Sequence, residues 1–207
     1  TLCPDTTLFR STGNEMNKEI LFAVRFKAGG LGLGNFMPND FAPQGSGSAI
    51  INGDGSGYNY PTDYLDSAFN ANDQRFNVSI GKYQTKMYAK KFVTQVAVKD
   101  DGENDFTILR YSDVLLMKAE ATGFDGPDGT AVGIINQIRE RAGATDYVAG
   151  DFNAGFYKYP ANPADTNAIT DNDKFMDALF KERRLELAFE NQRLFDLIRA
   201  GKAVSDL

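Results

Sequence analysis

The sequence lacks histidine and tryptophan and contains a single cysteine among its 207 residues. Without histidine, the chain cannot build a Ser-His-Asp or Cys-His relay, the common zinc sites or the usual general base. Hydrolysis by a pair of carboxylates would survive this absence, so the composition argues against an enzyme without excluding one. The cysteine, Cys3, has no partner for an internal disulfide and is interpreted as incidental.

The sequence also lacks a long apolar run and an excess of basic residues. No stretch approaches the roughly 20 apolar residues of a membrane-spanning helix. The net charge is −6, and binding to nucleic acid depends on clustered Lys and Arg, so DNA and RNA are not expected as partners. Apolar residues make up 42% of the chain, which is enough for one globular domain with a hydrophobic core.

The first half of the chain is irregular and rich in glycine. Residues 20–26 form an apolar run that predicts a short buried strand or extended segment. Over most of residues 29–61, closely spaced glycines exclude regular structure. Aromatic residues lie between these glycines, which argues against plain disorder. A loop of this length in a compact domain is usually functional when it is ordered.

The second half has the periodicity of amphipathic helices. Apolar spacing predicts helices over residues 108–121, 130–142 and 172–191. Thr170 or Asp171 is expected to cap the third helix. The short turn between the first two helices predicts an antiparallel hairpin, the unit of tetratricopeptide-type solenoids.

Charged residues fall on or beside the apolar stripe of the third predicted helix. Arg183, Glu186 and Glu190 lie there, while apolar residues cover the opposite side. Charges in a covered helix must be paired, because an isolated buried ion is very costly. Arg183 can reach Glu186, and Glu190 can reach Arg193. The alternatives are a solvated charged face and a catalytic pair of glutamates, which the nearby arginines disfavour by keeping both carboxylates ionised.

Four segments of the sequence resemble motifs of the SusD/RagB family. Residues 109–121 are similar to its LRYADVLLMYAEA helix, with serine in place of one alanine, and residues 135–143 match INxIRxRAG. Residues 182–199 match ERRxELAFEGxRxFDLxR, with Asn191 in place of glycine. Upstream, residues 61–75 resemble PTxxLVDAFExxDxR. The three helical motifs follow one another in the family's order.

The resemblance implies a mainly α fold, a SusD-like helical scaffold of tetratricopeptide type with long irregular loops. Residues 1–207 would be the C-terminal part of such a domain, whose N-terminal half is absent from this chain. Residues 1–105 would be loop-rich and a possible ligand face, and residues 106–207 would be the helical scaffold. The resemblance also strengthens the expectation of a buried structural ion network made of Arg110, Asp113, Arg183, Glu186, Glu190 and Arg193.

The resemblance further implies a protein without catalytic residues or cofactor. Members of the family bind oligosaccharides at the cell surface of Bacteroidota during polysaccharide utilisation. They deliver this ligand to a SusC-like TonB-dependent transporter and are held at the outer membrane by an N-terminal lipid anchor, which this chain does not contain. The alternatives are a peptide-binding RagB-type relative and a helical-repeat adaptor that binds only proteins.

The glycine-rich segment carries the candidate ligand-binding residues. Carbohydrate sites combine aromatic rings, which stack on sugars, with polar side chains that bind hydroxyl groups. The segment offers both in Phe36, Asn39, Asp40, Tyr58, Asn59 and Tyr60. The alternative is that these rings pin the loop onto the helices. Tyr157 and Tyr159, within the irregular aromatic residues 144–168, form a second and weaker candidate.

A short pattern in the same segment resembles the start of a calcium loop. Asn52, Asp54 and Ser56 supply oxygen-bearing side chains at alternate positions, Gly57 is the sixth residue and Asp63 is the twelfth. The first position is Asn rather than Asp, and no flanking helices are evident. The alternative is a turn built from Gly, Ser and Asp, so the metal assignment stays open.

Overall fold

The computed structural model describes residues 17–148 and 155–204. These residues form two compact units, one containing residues 17–68 and 75–110 and the other containing residues 69–74 and the chain from 111 onward. Cys3 lies outside the described residues.

The first unit contains two small antiparallel sheets. Strand β1 (Ile20–Val24) pairs with β4 (Phe106–Arg110), with irregular register at Phe22. Strands β2 (Ile80–Tyr83) and β3 (Lys86–Ala89) form a hairpin. The predicted strand over residues 20–26 is therefore confirmed in its first five residues. The prediction that it is buried is wrong, since Leu21, Phe22 and Val24 are 53%, 58% and 44% exposed.

Short helices in the first unit flank the irregular stretches. They are α1 (Met37–Phe41), α2 (Asp63–Ala68) and α3 (Gln74–Ser79). Helix α3 begins at Gln74, the last residue that the chain contributes to the second unit before it returns to the first. Phe92 is fully buried and packs its ring 6.0 Å from Phe41 and 6.0 Å from Phe106, measured between centroids. A second apolar cluster consists of Ala42, Ile51 and Val96.

The second unit is helical. Its helices are α4 (Tyr111–Thr122), α5 (Thr130–Arg141), α6 (Asn172–Glu186) and α7 (Arg193–Arg199). Helix α6 packs against α4 and α5, and the apolar residues of all three form the core. The Asp171 carboxylate accepts the backbone N–H of Lys174 at 2.9 Å and caps α6, as predicted. Helix α5 agrees with its predicted range to within one residue.

The other two predicted helices are wrong at one end each. Residues 108–110 belong to β4, because this segment pairs with β1, a partner far away in the sequence. Helix α6 ends at Glu186 rather than at residue 191. Phe189 and Asn191 adopt positive φ angles of 66° and 63°, which a right-handed helix does not allow. A turn therefore separates α6 from α7.

Among the described residues, no helix combines the length and the apolar composition needed to cross a membrane.

Candidate functional site

The glycine-rich segment is held in shape by the carboxylate of Asp54. Its Oδ1 accepts the backbone N–H groups of Gly47 and Gly55, each at 2.8 Å, and its Oδ2 accepts that of Gly45 at 3.2 Å. These hydrogen bonds, the one from Gly47 first, lower the pKa of Asp54 below its ordinary value. Asp54 itself has a φ angle of 67°, a conformation that Asp tolerates better than most residues. The carboxylate therefore fixes a turn.

Asn39 braces the segment from inside. Its Nδ2 donates to the carbonyl oxygens of Asn52 at 2.9 Å and Asp54 at 2.8 Å, and its Oδ1 accepts the N–H of Asp100 at 2.9 Å. The side chain was predicted to contact a ligand, but the residue is 0% exposed. A residue without accessible surface cannot contact a ligand, so Asn39 is no longer a candidate ligand-binding residue. Its hydrogen bonds give it a structural role.

Backbone hydrogen bonds join the two ends of the segment. The N–H groups of Ser56 and Tyr58 donate to the carbonyl oxygens of Asn39 at 2.9 Å and Asp40 at 2.7 Å. The N–H of Gly57 donates to the carbonyl oxygen of Ala42 at 2.9 Å. These bonds place the chain that carries Tyr58 beside α1 and its following residue. The segment therefore presents a defined surface, although it contains little regular structure.

Three aromatic rings are exposed on this segment. Phe36 is 55% exposed, Tyr58 is 63% exposed and Tyr60 is 42% exposed. No ring of the described residues stacks on any of the three. The Tyr60 hydroxyl lies against Gly57, where any side chain would collide with it. Tyr60 is therefore partly packed on its own loop, whereas Tyr58 has its ring surface available.

Polar groups lie next to these rings. Asp40 is half-buried, and among the described residues its carboxylate receives no hydrogen bond. Asn59 is exposed between the two tyrosines and has a φ angle of 57°, which suits Asn. Both side chains can bind hydroxyl groups.

Tyr64, on α2, is a further exposed ring that the sequence reasoning did not single out. It is 69% exposed and lies near Tyr60 in the sequence. Its signal was a tyrosine two residues after Thr62, in a short helix that has no buried residues.

The calcium-like pattern serves as a turn. Both oxygens of Asp54 already accept backbone N–H groups. The Asn52 side chain donates its Nδ2 to the carbonyl oxygen of Ala97 at 2.8 Å. The geometry matches the alternative of a turn built from Gly, Ser and Asp. Within residues 17–148 and 155–204, no group of three acidic or cysteine side chains is arranged to hold a metal ion.

Tyr157 and Tyr159, the second candidate for ligand binding, pack their rings against other side chains. The Tyr157 ring lies 5.8 Å from that of Tyr147 in an edge-on arrangement. Tyr159 stacks on the guanidinium of Arg139, which lies 4.6 Å from the ring centroid. Both tyrosines are half-buried, and residues 149–154 of this segment lie outside the described part of the chain.

Three charged residues at the C-terminal end of α6 are buried and paired: Glu182, Arg183 and Glu186. Arg183 donates from Nη1 to Asp113 at 2.8 Å and from Nε to both oxygens of Asp196 at 3.0 Å. Glu186 binds Arg141, a partner on α5 that helical spacing could not predict. Glu190 is likewise buried. Carboxylates that are buried and paired with arginines have a structural role. Their arrangement is not that of a catalytic pair of carboxylates.

Two further ion pairs also involve buried carboxylates. Arg139 of α5 lies 3.2 Å from Glu182 of α6, whose side chain has no exposed surface. In the first unit, Arg110 donates from Nη1 to Glu19 at 3.0 Å, a partner that the predicted network did not include.

Comparison with known proteins identifies the class. The sequence model of the SusD family matches residues 69–206, two thirds of the chain. The chain belongs to the SusD family.

Individual relatives agree with this assignment. SusD-like protein P38 of Formosa agariphila is 35% identical over 102 residues, which cover 49% of this chain and 18% of P38. A SusD superfamily protein of Parabacteroides distasonis superposes with a TM-score of 0.75 at 25% identity, over 96% of this chain and 43% of that one. Surface glycan-binding protein A of Bacteroides thetaiotaomicron, solved with laminarihexaose, superposes with a TM-score of 0.70 at 23% identity, over 99% of this chain and 47% of that one. The chain thus spans less than half the length of the relatives it matches.

Proposed function

We propose that this protein binds oligosaccharides at the cell surface through the exposed rings of residues 36–60. The observation that carries the proposal is a braced loop that presents Phe36, Tyr58 and Tyr60 to solvent without aromatic partners. Soluble proteins seldom hold several large rings exposed on a rigid segment unless the rings bind something.

The chemistry of the loop suits a sugar. Aromatic rings stack on the C–H faces of pyranose rings and remove apolar surface from water. Asp40 and Asn59 offer an acceptor and an amide for the hydroxyl groups at the ring edge. Because Asp54 and Asn39 already fix the loop, binding requires little further ordering of the protein, which favours affinity.

The solved relative that contains laminarihexaose supports a glucan as the first ligand to test. The family assignment supports binding without catalysis, and the buried Arg–Glu pairs of α6 are consistent with it.

Delivery of the ligand to a SusC-like TonB-dependent transporter is the second part of the proposal. The family resemblance supports it, together with lipid anchoring at the outer membrane. The helical unit, for which a tetratricopeptide-type repeat stays a prediction, would face the transporter and leave the loops for ligand. Co-purification of the full-length protein with a SusC-like transporter from outer membranes tests this part.

Ligand screening tests the binding proposal. A glycan array that includes laminarihexaose, followed by isothermal titration of each hit, should show saturable binding of at least one neutral oligosaccharide. Saturable binding of peptides without any oligosaccharide would contradict the proposal and indicate a RagB-type relative. Binding of neither ligand would also contradict it and favour a protein-binding adaptor.

A further inference from the structure

The segment that carries the exposed rings has no basic residue of its own. Residues 28–74 contain neither Lys nor Arg, although the chain has 22 of them. The same residues contain five aspartates, namely Asp40, Asp54, Asp63, Asp66 and Asp73. Asp73 is buried, which leaves four carboxylates with accessible surface. Since arginine and lysine are the side chains that bind carboxylates and phosphates, this composition is unfavourable for an anionic ligand.

The carboxylate of Asp54 lies close to the hydroxyl end of the Tyr60 ring. Its Oδ2 accepts the N–H of Gly45 at 3.2 Å, and Gln44, the residue before Gly45, flanks Gly57 together with the Tyr60 hydroxyl. The backbone hydrogen bonds that lower the pKa of Asp54 keep this carboxylate ionised at neutral pH. A negative charge therefore persists beside the ring.

Two further carboxylates lie next to the tyrosines. The carbonyl oxygen of Asp40 accepts the N–H of Tyr58 at 2.7 Å, so the Asp40 side chain starts from the backbone beside that ring. Asp63 is exposed and begins α2, three residues after Tyr60. Neither carboxylate has an ion-pair partner within the described part of the chain. Their charges therefore remain uncompensated.

A lysine that lies against the loop does not reverse its charge. The aliphatic part of Lys99 packs on Gly53. The next residue, Asp100, donates its N–H to Asn39 at 2.9 Å and brings a carboxylate to the same part of the loop. Asp101 follows it in the sequence. These three consecutive side chains together add one negative charge, so the loop face stays acidic.

We propose that the rings of residues 36–60 take uncharged oligosaccharides, and that the carboxylates around them repel glycans that carry uronate or sulfate groups. The inference rests on the proposed glycan-binding function and adds a limit on the charge of the ligand. Stacking favours any pyranose ring, whereas a like charge within the Debye length of about 10 Å at 0.1 M salt opposes binding. At about twofold for each nearby carboxylate, the discrimination against an anionic ligand should reach about tenfold at low salt.

Isothermal titration of the full-length protein with matched ligands tests the proposal. The probes are laminarihexaose, cellohexaose and maltohexaose, each beside the same hexasaccharide oxidised at C6 to carboxylates. A neutral ligand that binds should do so about tenfold more tightly than its oxidised counterpart at low salt. The difference should shrink in 1 M salt, where the Debye length is only about 3 Å.

The outcomes separate this inference from the proposed function. Equal or tighter binding of an oxidised hexasaccharide would overturn the charge selection and leave glycan binding intact. A preference for the neutral ligand that is independent of salt would also overturn it, because shape rather than charge would then be the cause. Binding of none of the six probes would contradict the proposed function and this inference with it.

A variant that removes one charge sharpens the test. Asp63→Asn keeps the shape of the side chain and should tighten binding of the oxidised ligand about twofold at low salt, with the affinity for the neutral ligand unchanged. Asp128→Asn, which makes the same change of net charge in the turn between α4 and α5, is the control and should alter neither affinity. Unchanged binding of the oxidised ligand in Asp63→Asn, or an equal gain in Asp128→Asn, would contradict the assignment.

Discussion

The glycine-rich loop and the helical unit both depend on carboxylates, but they use them in opposite settings. At the loop, the carboxylates lie near the surface and accept backbone N–H groups: Asp54 within the loop accepts that of Gly47, and Asp101, outside it, accepts those of Gly29 and Gly30. In the helices, Glu182 and Glu186 are buried and bind guanidinium groups. Breaking a surface contact loosens a turn, whereas breaking a buried pair leaves a charge in the core. Defects in the loop should therefore affect ligand binding, and defects in the helices should affect folding.

The largest effect is expected from Glu186→Ala. The change removes a carboxylate from the buried guanidinium of Arg141, which should lower the free energy of unfolding by about 3 kcal/mol or more. Chemical denaturation measures the loss. Glu140→Ala on α5, next to Arg141 in the sequence, is the control, because its contact with Lys158 is exposed and should contribute less than about 1 kcal/mol. Equal stabilities of the two variants would contradict the buried-pair account.

An intermediate effect is expected from Asn39→Ala in the loop. The change leaves the carbonyl oxygens of Asn52 and Asp54 without their internal donor, at a cost of about 1–3 kcal/mol. Oligosaccharide affinity should fall with it, because the brace of the loop is lost. Gln95→Ala is the matched control, since its amide also donates to a carbonyl oxygen, that of Ile50, but is exposed. Loss of stability with full affinity would show that Asn39 does not organise the site.

A smaller and local effect is expected from acid. The pKa of Asp54 is lowered by its hydrogen bonds, so its contribution to loop stability is present above the ordinary value of 3.8 and is lost as the pH falls through the lowered pKa. The exchange of the Gly47 and Gly55 amide protons, corrected for intrinsic rates, should be protected at neutral pH and accelerate below about pH 4. In Asp54→Asn the same protons should exchange faster already at neutral pH and show no acid step. An acid step that persists in Asp54→Asn would assign the effect to another carboxyl.

The sequence predicted the helices better than it predicted the loop, for a physical reason. The stripe of α5 is a local pattern that reads directly as a buried face. The wrong end of α6 depends on positive φ angles at Phe189 and Asn191. Asn191 is a residue type that tolerates such an angle, but Phe189 gives no sequence signal for it. The pair of Arg110 with Glu19 joins residues 91 positions apart, which no helical spacing reveals.

The loop shows the complementary limit. The sequence places Asn39 and Tyr58 in one glycine-rich, aromatic stretch, but an asparagine that braces a loop and one that binds a ligand look the same. Burial separated them, since Asn39 has no exposed surface and Tyr58 is 63% exposed.

The most direct test of the central claim is Tyr58→Ala, measured by isothermal titration with an oligosaccharide that the protein binds and by thermal melting. Loss of the ring should weaken binding by roughly 1–3 kcal/mol, the contribution of one large apolar side chain, while the melting temperature stays unchanged. Phe195→Ala, which removes a ring of α7 that is 60% exposed, is the control and should alter neither quantity. A lower melting temperature with unchanged affinity in Tyr58→Ala would show that the ring only pins the loop, and would contradict the proposed function.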